Sequence, residues 1–425
     1  MIDVATTQWT GRPDLSSEDF WVAPVEERAR MFAALREREP VAFFPEVGSF
    51  GIPPGPGYWA LTRLDDCLAV SRDPHTFVSD PGYVIEDLPP QFYELFGVSL
   101  LKLDHPRHTR VRRIVSQGFT PRRMSALFDY VTGLSRQIVD DVIEKGECDA
   151  VEEIAARLPL RIICEMMGVP ASQYEYVVAQ TNKMVGYTDP EYADDPVTAL
   201  IESSVALTEL MHDMAAQRRD HPAADLTSAL VNAEIDGGSL TPEELAGFFN
   251  LLVVAGNETT RNAIAWGLYL LTHNPEQRAI WLADLDGVLP TAVEEIVRVS
   301  SPGIYMRRTL ARDAVVGGQP MSAGEKVVML YWAANRDPAH FADPDAFDVR
   351  RSPNPHIGFG FGQHFCLGAH LARREIGVMF RELLTRVPDI HTTDEPVRLV
   401  SNFINGVKRL PVAFTPGARS VGRLS

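Results

Sequence analysis

The sequence predicts a mainly α fold with a smaller β portion, continuous over residues 1–425. Three observations carry that expectation. From Leu103 to Pro275, apolar residues recur at helical spacing, interrupted by Pro, Gly and Asp. Strand signals gather in two places, Tyr58 to Arg63 and a hairpin-like run from Asp313 through Gly317-Gly318 to Val327-Val328-Met329-Leu330. No internal repeat, low-complexity tract or long Gly/Ser linker divides the chain, so one domain is the simplest organisation.

After the early strand come helical stretches such as Ala126 to Ile143 and Ala199 to Arg219. The clearest helix runs from Thr241 to about His273, its body about 242–273: Thr241 is an N-cap, Pro242 takes the first helical position and Glu244 completes a capping box. It stops at Asn274-Pro275. At ~1.5 Å per residue it is roughly 48 Å long and must cross the globule through its centre. It contains AGNETT, Ala255 to Thr260. A mid-helix Gly costs about 1 kcal/mol relative to Ala, and a Glu with two threonines is a poor filler for so apolar a helix. That stretch needs room and protons.

A formal net charge of −17 disfavours nucleic acid as a partner, because neutralising phosphates takes a basic field. Cys67, Cys148, Cys164 and Cys366 show no paired spacing, which argues against a disulfide framework or structural zinc and for a reducing compartment. The N-terminus lacks the layout of a signal peptide, and no run reaches eighteen uninterrupted apolar residues, so a cytoplasmic protein without membrane insertion is expected. Arg107, Arg110, Arg112 and Arg113 crowd into seven positions, and Arg373-Arg374 form a second basic pair. Such runs are usually solvated helix faces.

Phe359 to Gly368 reads FGFGQHFCLG and leads into a helix with a stripe of Leu371, Ala372, Ile376, Met379, Phe380 and Leu383. Cys366 therefore stands just ahead of a helix N-terminus, which favours an anion and implies a readily ionised thiol. Gly360, Gly362 and Gly368 permit tight turns and the close approach of something large and flat. An inert buried cysteine, or a nucleophile assisted by His364 or His370, fits the residue types taken alone.

The pattern Phe-Gly-x-Gly-x-His-x-Cys-x-Gly resembles the haem-ligand loop of cytochromes P450, here residues 359–368. AGNETT is similar to the oxygen-activating stretch of that family's central helix. Glu295-Ile296-Val297-Arg298 matches its Glu-x-x-Arg pair, and Asp104-His105-Pro106-Arg107-His108 with Arg112 matches its propionate-binding helix. The resemblance implies haem b (iron protoporphyrin IX) with Cys366 as axial thiolate, a ligand that favours O–O cleavage. It further implies Phe359 packed beside the ligand, with Gly368 near the ring. His108, Arg112, Arg308 and His364 become propionate partners, Arg308 being taken over Arg307 from its place before Thr309-Leu310. Ala255 and Gly256 are expected to leave space over the iron, Thr259 to steady a proton relay and Glu258 to feed it. A back-bonded hydroxyl is the structural alternative for Thr259. Glu295 and Arg298 are expected to be a structural ion pair. Ala346 stands where many relatives supply a third charged partner, and Arg350 or Arg351 is expected to substitute.

The implied activity is a monooxygenase acting as a monomer with O2, a ferredoxin and a ferredoxin reductase, since no Gly-rich flavin or nicotinamide motif is present. The arginine clusters are then expected to form the docking face for an acidic ferredoxin. Alternatives are a peroxygenase, a natural-product tailoring enzyme that forms a ring or C–N bond, and a non-catalytic thiolate-haem sensor. AGNETTRNAI, SPGIYMRRTL, FADPDAFD and SNFINGVKRLPV look most like the actinobacterial hydroxylases of methyl-branched lipids and sterol side chains. Phe92, Leu95, Phe96, Ile304, Met306, Phe403 and Ile404 are the implied substrate contacts. They suit a small apolar organic substrate hydroxylated at or near a chain terminus.

Overall fold

A computed structural model describes residues 12–47, 53–87, 99–117, 121–185, 189, 191, 195–234 and 238–420. The central helix, Pro242–His273, forms as its cap predicts: the Glu244 amide donates to Thr241 Oγ1 at 3.2 Å and the Thr241 amide to Glu244 Oε2 at 3.1 Å. The Arg157–Met167, Pro196–Asp220, Leu285–Ser300 and Ala369–Arg386 helices pack on it. The Pro196–Asp220 helix begins three residues before the periodic stretch, because Asp195 caps it, accepting from the Val197 and Thr198 amides. One buried apolar cluster joins the second half of the central helix to the Leu285–Ser300 and Ala369–Arg386 helices. A second joins its first half to the Pro196–Asp220 helix.

The chain is mainly α, as expected. Its strands are β1 (Val41–Phe44), β2 (Tyr58–Leu61), β3 (Phe77–Val78), β4 (Glu147–Asp149), β5 (Tyr305–Leu310), β6 (Ala314–Val316), β7 (Gln319–Met321) and β8 (Lys326–Leu330), followed by four short ones near the C-terminus. The largest sheet has the order β1-β2-β8-β5-β3, with β2 and β8 parallel and β5 antiparallel to β8. The Gly317-Gly318 turn closes a separate β6–β7 hairpin, with φ of 57° and 85°, while Val327 to Leu330 belong to the main sheet. Strand alternation turns Arg307 and Arg308 to opposite faces of β5. Among the described residues no helix is long and apolar enough to cross a membrane.

Candidate functional site

Cys366 sits in a tight loop ahead of the Ala369–Arg386 helix, its amide donating to Phe359 O at 2.9 Å. It makes no disulfide. Burial pushes its thiol up, while the Gly368 amide, Arg112 and Arg373 pull it down. The ready ionisation expected from the helix terminus is thus outweighed by desolvation, and the cations must be supplemented, as a metal would do. Gly362, at φ 71°, is pressed by the chain itself, since a Cβ there would lie 2.4 Å from Ser71 O. Of the loop's Gly360, Gly362 and Gly368, only Gly368 faces open space, with nothing within 4 Å of its missing Cβ.

Beside this loop four basic side chains converge from three elements. His108 and Arg112 come from the Arg107–Gln117 helix, Arg308 from β5 and His364 from the cysteine loop. The His108 and His364 rings lie 4.3 Å apart between centroids. Both ring nitrogens of His108 are buried without a partner, and no acid pairs with any of the four among the described residues. Their available partners are neutral: Arg112 Nη2 donates to Phe365 O at 2.6 Å, Arg308 Nη1 to Arg307 O at 2.7 Å, and His364 Nε2 meets Ser79 Oγ at 3.0 Å. Burial, Arg112 and Arg308 push His108 down to about 4. Burial, Arg308, His108 and Arg112 push His364 down to about 2. A cationic cluster short of anions next to a thiol and an open glycine fits a flat group bearing carboxylates, with the metal at Cys366. Arg307 instead reaches Asp87 Oδ1 at 2.6 Å on the other face of β5.

On the central helix Ala255 is exposed and Thr259 half-buried, although Val253, Asn257, Glu258 and Thr260 around them are buried. That face is therefore only partly covered by the packing around it. The Thr259 hydroxyl donates to Ala255 O at 2.6 Å, so the back-bonded arrangement is present and only its oxygen lone pairs remain free. Glu258 is 1% exposed, paired with Arg261 and accepting from Asn257 Nδ2 at 3.2 Å. Burial raises its pKa and Arg261 lowers it. The clearance expected at Gly256 is absent: a Cβ there would meet Ile163 Cδ1 at 2.8 Å, so that glycine lets the Arg157–Met167 helix approach.

Glu295 and Arg298, both fully buried, pair through two bonds of 2.7 Å. Arg351 supplies the further charge, its Nε 3.1 Å from both Glu295 oxygens, and Arg350 gives only its amide, to Asp348. Ala346 contributes its carbonyl, which accepts from both Arg298 and Arg351. Of the expected substrate contacts, Met306, Phe403 and Ile404 are partly open. Ile304 is 1% exposed and packed with Phe32, Tyr305 and Trp332, so it offers no surface to a ligand. Phe92, Leu95 and Phe96 lie outside the described residues.

Two arginines of the expected docking face are engaged internally: Arg107 Nε and Arg110 Nη2 reach Glu244 Oε1 at 3.0 and 2.5 Å. Sequence reasoning also passed over Ser79, which carries no local signal, and Glu294, which binds Arg373 and His356. The doubled acid Glu294-Glu295 was the available hint for the latter.

The family description "Cytochrome P450" matches residues 75–388. The methyl-branched lipid omega-hydroxylase of Mycobacterium tuberculosis is 47% identical over 406 residues, covering 95% of this chain and 94% of that protein. The steroid C26-monooxygenase of Rhodococcus jostii is 38% identical over 388 residues, covering 90% and 81%. A Mycobacterium marinum cytochrome P450 solved with pseudoionone superposes with a TM-score of 0.90 at 43% identity, covering 95% of this chain and 99% of that one. With a cysteine loop, a cationic cluster and an open central-helix face in the arrangement described, the chain belongs to the cytochrome P450 family and is a haem-thiolate monooxygenase.

Proposed function

We propose that this enzyme hydroxylates a methyl-branched lipid, isoprenoid or sterol side chain at or near its terminus. One atom of O2 enters the C–H bond and the other leaves as water, which takes two protons and two electrons from outside. The observation that carries this reading is the 47% identity, over nearly the whole chain, to a methyl-branched lipid omega-hydroxylase. The apolar, partly open Met306, Phe403 and Ile404 support it, since they accept hydrocarbon without stranding a charge. Pseudoionone, bound by a similar protein, is likewise a methyl-branched chain. The electrons come from a ferredoxin and its reductase in the cytoplasm.

Haem b, held by Cys366 and by His108, Arg112, Arg308 and His364 at its propionates, supplies the oxygen-activating chemistry. The protein's own part is proton handling and exclusion of water. With its proton committed to Ala255 O, Thr259 accepts a hydrogen bond from water on the open face and holds that water in place. Glu258 feeds protons once it lets go of Arg261, and its raised pKa favours carrying one. Thr259→Ala is expected to bind substrate normally while diverting reducing equivalents to peroxide. Unchanged coupling of electron use to product removes Thr259 from the relay.

The substrate reading is tested by spectral titration with branched fatty acids, acyclic terpenes, sterols and aromatic peptide alkaloids. A low-to-high-spin shift with the branched chains is expected. A shift confined to the alkaloids sinks the assignment and favours natural-product tailoring.

A further inference from the structure

One set of contacts behind the cysteine loop is not used by the proton relay or the cationic cluster. His356 Nδ1 accepts the Gly358 amide at 3.1 Å, which leaves the proton on Nε2, and Nε2 donates to Glu294 Oε2 at 3.0 Å. Glu294 in turn accepts both arms of Arg373, Nε at 2.5 Å and Nη2 at 2.9 Å. The Arg373 guanidinium lies over the Phe359 ring, 4.3 Å from its centroid, with the His356 ring 5.9 Å away on the same phenyl group. Phe359 closes the circuit, because its carbonyl accepts the Cys366 amide. Four side chains from three segments are therefore tied in a ring against the loop that carries Cys366.

A bidentate fork stacked on an aromatic face is a fixed guanidinium, unlike an exposed lysine or arginine on a flexible stem. A charge fixed near a thiolate is felt through a low-dielectric loop, and Arg373 acts on Cys366 in the stabilising direction. Glu294 adjoins Glu295 on the Leu285–Ser300 helix, but the two acids face different tasks, Glu295 binding Arg298 and Arg351.

We infer that Glu294, steadied by His356, is a positioning residue that holds Arg373 over Phe359, and that the fixed charge of Arg373 raises the reduction potential of iron bound at Cys366. A positive charge near the site stabilises its electron-rich reduced state, so loss of that charge makes the potential more negative. The inference rests on Cys366 as the iron ligand. A Cys366→Ala protein that kept the red-shifted Soret band of its reduced carbon monoxide complex would remove that footing, whereas an unmoved potential in the variants below removes only the role of Arg373 and Glu294.

The test is spectroelectrochemical titration of the haem-loaded enzyme with no electron-donor protein present, so that docking has no part in the result. Arg373→Gln is expected to titrate at a more negative potential than the wild type. Glu294→Asp keeps the charge but draws the carboxylate back by one methylene, and is expected to move the potential part of the way in the same direction. In an Arg373→Gln background Glu294→Asp is expected to add nothing, because no guanidinium remains to be placed. Should Arg373→Gln fail to retain haem, Arg373→Lys, which keeps charge without the fork, is expected to fall between wild type and Glu294→Asp/Arg373→Lys. A wild-type potential in the Arg373 variants, or an equal shift from Glu294→Asp in both backgrounds, overturns the inference.

Discussion

Two buried clusters of charge lie within the same fold and differ in one respect. Around Glu295, every charged group has a partner: Arg298 and Arg351 face the carboxylate, the Asp348 amide and Asn354 Nδ2 donate to it as well, and backbone carbonyls take the spare guanidinium protons. Around His108, three further bases converge and no acid pairs with them among the described residues, and both imidazole nitrogens are orphaned. A desolvated charge is tolerated only when paired. The charges of the first cluster are thus balanced as folded, whereas those of the second are left short of an anion.

That contrast can be broken at its strongest point first. Arg298→Ala leaves Glu295 buried and short of its main partner, with an expected loss of about 3–5 kcal/mol, seen as an earlier denaturant midpoint with or without haem. A midpoint within error of wild type would mean the knot is dispensable. A smaller and opposite pattern is expected of Arg308→Gln. Haem retention, measured by transfer to a scavenging globin, should weaken roughly ten- to a hundredfold for the loss of one charge-assisted contact of about 1.5–3 kcal/mol. The haem-free variant should be no less stable than the haem-free wild type, since a repulsive charge is gone. Equal damage to both forms would place Arg308 with the structural arginines.

The subtlest expected effect is pH dependence. In the haem-free protein His108 titrates near 4 against an ordinary 6.5, lowered by burial, Arg112 and Arg308. The unfolded chain takes up a proton first, so stability falls as pH drops through 6.5 toward 4 and this contribution is gone below that. His108→Gln is expected to lessen the slope in that window without abolishing it, because His364, pushed down to about 2, contributes there in the same direction. Haem loading is expected to flatten it too, because carboxylates favour the imidazolium. Identical slopes in wild type and variant, followed by denaturant midpoints, would detach His108 from it.

Much of the fold was written locally. Thr241, Pro242 and Glu244 announce the central helix, and Gly317-Gly318 announces a hairpin turn, because caps and turns depend on a few adjacent residues. The cysteine loop and the Asp104-to-Arg112 stretch were legible as chemistry, and the two arginines of β5 lie on opposite faces, with Arg308 on the side of His108 and His364 and Arg307 on that of Asp87. What escaped depends on non-local geometry. Arg350 and Arg351 are indistinguishable as letters, and only the turn Arg351 makes toward Ala342, Asp343 and Ala346 selects it. Gly256 read as clearance because a sequence cannot show that Ile163 fills it. Ile304 is equally apolar whether it faces a ligand or Trp332.

The grip of Glu244 on Arg107 and Arg110 reaches further than capping a helix. The same Arg107–Gln117 helix carries His108 and Arg112, so a one-residue slip would strip the acid of its cations and turn both bases away from Arg308 and His364. Register is locked at one end by the start of the central helix, and that lock sets where His108 and Arg112 stand at the cluster. Outward positions such as Ser116 take no part in that lock. A survey that reverses surface arginines to map a partner's footprint would, at Arg110, also break an internal ion pair with Glu244.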